Sequence, residues 1–240
     1  NSVIPPTELF NEGWLLRLVI DWFYTSQISS HYLSFNSTKA KWYSEALLPS
    51  PFFLLYQGDE NAESWTNADG VLGDIKIGNC GKRDIKLNNN ATQFKVIEAK
   101  IFSKLSRGVS NASYYDQAVR NVACMAEVIS RTEINLENLE DIGFYVIAPK
   151  KQIEKKPSFE NYMSKDSIKN KVLRRINSYE KEDDKERRMT WFNNWFLPVL
   201  KKIDIKCLNW ENVIDFISSK DSEYGSKLEE FYVKCLEYNG

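Results

Sequence analysis

The chain has 240 residues, 42% hydrophobic and 27% charged, a composition that argues against disorder and lets about 70% of the unfolded surface be buried without disulfide or metal staples. Net charge is −1, from 32 basic and 33 acidic residues, which disfavours a nonspecific nucleic-acid coat. The one histidine, His31, leaves little room for His-based triads, so carboxylate, lysine or threonine chemistry must carry any catalysis.

Four scattered cysteines without a CxxC pair offer no structural zinc spacing and leave a disulfide framework unmotivated, so reduced thiols in a cytoplasmic protein are expected. The greasiest run, Trp14 to Tyr24, carries Arg17 and Asp21 and is too short and too charged to cross a membrane.

In chain order, Pro5-Pro6-Thr7-Glu8 predicts a helix start, and the helix runs to about Tyr24, apolar on nearly all sides and therefore buried between layers. Lys39 to Leu48 reads as a helix halted at Pro49-Ser50-Pro51, and Phe52 to Tyr56 as a short strand or helix. From Gly70 the period becomes two. Val71 to Ile77, Asp84 to Leu87 and Phe94 to Phe102 predict a meander of three strands, with turns at Gly78-Asn79-Cys80-Gly81 and Asn88-Asn89-Asn90.

An amphipathic helix opens after Ser113, with Gln117, Arg120 and Asn121 on its polar face. Tyr114 and Tyr115, just before it, read as core rather than stacking rings. Gly143 to Ala148 is an apolar run that suits a buried parallel strand. Residues 150–190 are charged in a pattern that favours exposed helix. The Trp191 to Phe196 cluster reads as helix core or a dimer face, with Pro198 a kink or end. A last strand over Ile203 to Leu208 and two helices close the chain. The order predicts a single α/β domain over residues 1–240: a core of about 7–149, then a C-terminal strand and helices over 150–240.

Chemistry concentrates in Val96-Ile97-Glu98-Ala99-Lys100. Glu98 and Lys100 are two apart on a strand and so share a face, while Ile97 and Ala99 face the other way. A hairpin centred on residue 91 would set Asp84 opposite Glu98, with Cβ atoms about 5 Å apart. Two carboxylates that close repel unless a cation lies between them, and Mg²⁺ with oxygen ligands is the natural ion. The Ile97 carbonyl could add an oxygen, and Lys100 would face a metal-bound water or a phosphate. Asp74 is the alternative to Asp84. Between Asp74 and Arg107, eight basic residues outnumber three acids, a local positive patch on a neutral chain.

Asp84, thirteen residues, then Glu98-Ala99-Lys100, on a helix, three-strand meander, helix, strand order, resembles the PD-(D/E)xK nuclease superfamily, with its restriction-endonuclease-like fold. Arg83 stands before Asp84 where the motif has proline. The resemblance implies a mixed sheet of about five strands flanked by helices, and Mg²⁺-dependent (or Mn²⁺-dependent) hydrolysis of DNA, with RNA left open. It further implies Asp84 and Glu98 as metal ligands, Glu8 or Glu12 completing the shell, and Lys100 orienting the nucleophile. Gln117 would hold Lys100 or a phosphate. Lys82, Arg83, Lys104, Arg107 and Arg120 would contact neighbouring phosphates. Paired cuts would need a homodimer. The reading from another class is a non-catalytic module of this fold that binds nucleic acid or protein; a third is a structural oligomer formed through the aromatic C-terminal third.

Overall fold

The computed structural model describes residues 4–57, 59, 61–77, 84–105, 112–132, 134–155 and 159–240. The expected turn at Gly78-Asn79-Cys80-Gly81, together with Lys82, Arg83 and Arg107, lies outside the described residues.

Helices pack on both faces of a five-stranded mixed sheet of order β1-β2-β5-β6-β7. The strands are β1 (Lys41–Leu48), β2 (Thr66–Gly73), β5 (Gln93–Ala99), β6 (Asp141–Ala148) and β7 (Asp204–Asn209). The pairs β1/β2 and β2/β5 are antiparallel; β5/β6 and β6/β7 are parallel. Both parallel steps need crossovers. The first is α3 (Gln117–Ser130). The second is the run α4 (Lys150–Ile153), α5 (Phe159–Met163), α6 (Lys165–Asn177), α7 (Glu182–Trp191) and α8 (Leu197–Lys202).

The sheet's alternating side chains feed two cores. Phe94 and Val96 point towards α3 and join Val119, Val122 and Ala126, with Ile168, Val172, Phe192 and Phe196 from the second crossover. Ile97 and Ala99 point the other way, against α2 (Glu12–Ser26) and the closing helices α9 (Trp210–Lys220) and α10 (Ser222–Asn239). Phe192 and Phe196 are buried in a widened helical turn between α7 and α8, so this aromatic cluster belongs to the core. The wider turn takes up Pro198 without ending the helix there.

Lys41–Leu48 is a strand and not the expected helix. Glu45 has φ +53°, in the left-handed region, and the strand changes face there. Trp42 packs on the α2 side, whereas Ala46 and Leu48 pack on the α3 side. The change of face breaks the period-two pattern and leaves apolar residues at helix-like spacing. Phe52 to Tyr56 forms neither strand nor helix.

The expected three-strand meander is also corrected. After β2 the chain turns at Gly73, whose φ of +136° and backbone approach to Gln93 leave no room for a side chain. It then makes a separate two-stranded ribbon, β3 (Ile75–Ile77) with β4 (Ile85–Leu87), before returning as β5 to pair with β2. The first helical segment is likewise divided into α1 (Pro6–Leu9) and α2, the latter capped by Asn11, whose side chain accepts from the Trp14 amide. Glu8 and Glu12 therefore sit on different helices.

Candidate active site at the end of strand β5

Glu98 lies one residue before the end of β5, fully buried, with its side chain on the α3 face. Lys100 Nζ donates to its Oε1 at 2.5 Å, Gln117 Nε2 donates to the same oxygen, and Asn121 Nδ2 donates to Oε2 at 3.2 Å. Gln117 and Asn121 are one turn apart on α3, so one helix face supplies both amides. The helix start is fixed by Asp116, whose carboxylate accepts from the amides of Ala118 and Val119.

The backbone of Lys100 is held from both sides. Its N–H donates to Ile147 O at 2.8 Å, and its carbonyl accepts from Trp210 Nε1 at 2.9 Å. Trp210, fully buried at the start of α9, thus gives the C-terminal third a direct part in placing the lysine.

The acid facing Glu98 is Asp69. The β2–β5 ladder pairs Gly70 with Ile97, so Asp69 comes opposite Glu98 one residue further on. Asp69 Oδ2 accepts from the Ala99 amide at 2.8 Å and so takes a ladder position with its side chain. Its carboxylate is near enough to raise the pKa of the Glu98 carboxyl. Burial first, and the negative charge of Asp69 second, hold the Glu98 carboxyl well above the ordinary glutamate range, against the opposing pull of Lys100. Asp69 is only half-buried, so the pair reaches solvent on the Asp69 side.

Asp84 does not take the position expected of it. Its strand pairs with β3, and Asp84 itself bridges Leu47 of β1, whose other edge carries β2. Two strands therefore separate Asp84 from β5. Asp74 is structural: its carboxylate accepts from Ser37 Oγ, Thr92 N, Thr92 Oγ1 and Gln93 N at 2.5–3.1 Å, closing the return into β5. The Ile97 carbonyl, expected to face a metal, points with Ala99 towards β2, where Gly70 is its ladder partner.

Glu8 is exposed, and Glu12 acts on Cys235 of α10, on the opposite face of the sheet from the Glu98 side chain. Neither is among the groups acting on Glu98. Arg120 lies 3.2 Å from Glu63, not aligned as a hydrogen bond, and Glu63 also takes Arg175 at 2.8 Å. This buried ion cluster engages Arg120, which was expected on a phosphate. Lys104 remains exposed beyond the strand. Tyr115 is fully buried, in keeping with core, whereas Tyr114 is part-exposed.

Asp69, Asn121 and Trp210 are the site residues that sequence reasoning missed. Asp69 precedes Gly70 in the polar stretch Thr66-Asn67-Ala68-Asp69, ahead of where the strand was expected to begin, and so carried no apolar alternation to mark it. Asn121 was legible as a face-mate of Gln117; nothing in the sequence pointed to Trp210.

Two carboxylates opposite each other, and a buried Asn121 Oδ1 that receives no donor, make the pocket electron-rich and fit a small hard divalent cation better than a soft one. Among the described residues no group of three or more His, Cys, Asp or Glu is placed to hold a metal, so any ion would rest on two carboxylates with waters or substrate oxygens. No described helix is long and apolar enough to cross a membrane. No family model, curated protein or solved structure gives a significant match to this chain.

Proposed function

We propose that the chain is a metal-dependent nuclease of the PD-(D/E)xK type on a restriction-endonuclease-like fold, with Asp69, Glu98 and Lys100 as its motif. The supporting observation is that Asp69 comes opposite Glu98 beside Lys100. Two acids forced together at a strand end, one of them fully buried, cost several kcal/mol unless a cation or a proton lies between them.

Asp69 and Glu98 are the residues that would hold the ion, Mg²⁺ or Mn²⁺. Bound there, the ion would supply positive charge to the phosphate and lower the pKa of the attacking water. Lys100, its backbone pinned by Ile147 and Trp210, presents an amine that can move from Glu98 to a phosphate oxygen or orient the nucleophile. Gln117 and Asn121 keep the Glu98 carboxyl in its rotamer. Lys104 follows the site on the exit from β5 and is placed for a neighbouring phosphate.

Incubation of the protein with DNA in Mg²⁺ or Mn²⁺, against EDTA, tests this. Cleavage should need the ion and fall roughly 100-fold or more in Lys100→Ala and Glu98→Gln. A folded protein that neither binds divalent ions nor cuts DNA or RNA would overturn the proposal. That result would favour the non-catalytic module, a reading supported by the seal over the pair: the Lys100 side chain is 10% exposed and that of Glu98 0%.

A further inference from the structure

A cavity of about 660 Å³ is lined by the segments that continue from the site, after Lys100 on one side and before Gln117 on the other, while Glu98 and Lys100 themselves do not line it. One wall is the continuation of β5, with Phe102 two residues after Lys100 and Lys104 beyond it. The other is the approach to α3, with Tyr114 and Asp116 just before Gln117. Tyr162 and Phe159 of α5 close the third side. Gln152 Nε2 ties α4 to the Ser103 carbonyl at 2.6 Å and so holds the first wall to the second crossover.

The lining has an unusual combination of chemistry. Phe102 is 49% exposed and Tyr162 40%, so two large rings stand open to solvent in one recess. Lys171 Nζ lies 5.2 Å from the centre of the Tyr162 ring, a cation over an aromatic face. Among the described residues, lysines 104, 155 and 171 line the same recess against one acid, Asp116, which Lys171 already pairs at 2.5 Å. Arg174 lies over the Tyr114 ring at 3.8 Å and adds a further cation. Gln152 Oε1 is buried on this wall without a donor.

We infer that this cavity receives an unpaired nucleobase of the substrate strand, next to the phosphate held at Lys100, and that the enzyme therefore acts on single-stranded nucleic acid or frayed ends in preference to intact duplex. The inference rests on the nuclease reading and deepens it. Exposed rings offer stacking to any base, and the surplus lysines suit the phosphates on either side. A base paired within a duplex presents no free face to such a recess. Two residues span at most about 7 Å, so Phe102 is within reach of a nucleotide adjoining the one at Lys100.

Binding is read separately from cutting. A fluorescein-labelled deoxyoligonucleotide, alone and annealed to its complement, is titrated with protein in EDTA and followed by anisotropy. The single strand should bind more tightly than the duplex. Phe102→Ala and Tyr162→Ala, at exposed positions that leave the fold intact, should each weaken single-strand binding about fivefold or more. Equal affinity for strand and duplex, or unchanged affinity in the Phe102→Ala/Tyr162→Ala double variant, would overturn the inference. In parallel, cleavage in Mg²⁺ is compared for the wild type and Lys100→Ala. Ring-dependent strand binding without cleavage would sink the nuclease reading and keep the cavity. Lysine-dependent cleavage that is indifferent to both rings would do the reverse. Neither binding nor cleavage would end both.

Discussion

Asp69 comes opposite Glu98 across the β2–β5 seam, and each is held there by different partners. Asp69 is fixed through the Ala99 amide, which its carboxylate accepts in place of a backbone carbonyl. Glu98 is fixed by Lys100, Gln117 and Asn121. Relaxing one does not release the other, so the repulsion between the two acids is built in.

Glu98→Gln should stabilise the fold while abolishing ion binding. The Glu98 carboxyl titrates above its unfolded value, so its contribution is fully present below about pH 4.3 and is lost as pH rises towards the folded pKa. The glutamine keeps acceptor oxygen for Lys100 and removes the buried charge. Thermal melts across pH should show a Tm at or above wild type near neutrality, and a lower one would count against the assigned strain.

Ion affinity should climb with pH for the same reason, since a proton must leave Glu98 when a cation enters. Calorimetry with Mn²⁺ should show affinity rising by up to about tenfold per pH unit while Glu98 is protonated. Asp69→Asn should lower affinity by about tenfold or more, whereas Asp84→Asn should leave it near wild type. The opposite ranking would return the ligand role to Asp84.

Arg175 is fully buried between the rings of Phe52 and Tyr115, at 4.6 and 4.4 Å, and pairs Glu63 and the Asn61 carbonyl at 2.8 and 2.7 Å. Arg175→Ala should destabilise by about 3–5 kcal/mol, because it strands part of the Glu63 charge and empties a large volume. Urea unfolding measures this directly, and a loss under about 1 kcal/mol would contradict the described cluster.

His31 is stacked on Phe23 and lies against a tilted Phe216 ring, both at 4.7 Å, and its Nδ1 accepts from the Leu33 amide. Burial, and then the nearby Lys95 charge, bring its pKa down to about 4. Its share of stability is therefore present above about pH 6.5 and lost as pH falls towards about 4, at no more than about 1.4 kcal/mol per pH unit. His31→Phe should flatten that part of the profile. An unchanged acid slope in the variant would show that His31 is not its source.

The sequence alone determined the strand that carries Glu98 and leads into Lys100, the polar face of α3 that holds Glu98, the buried run Gly143 to Ala148 and the closing strand and helices. Each of these follows from side-chain period and burial within a few consecutive residues. Tertiary structure alone decided which acid faces Glu98. Period says which residues of a strand share a face but not which strand lies alongside, and here a looped-out ribbon, β3–β4, intervenes between the two partners. Hairpin arithmetic over the nearest segments therefore pointed to Asp84, while the sheet order, set by where β2 and β5 both bury their apolar faces, brought up Asp69. The same change of face at Glu45 hid β1 behind a helical pattern, because a single left-handed residue alters the phase of everything that follows it.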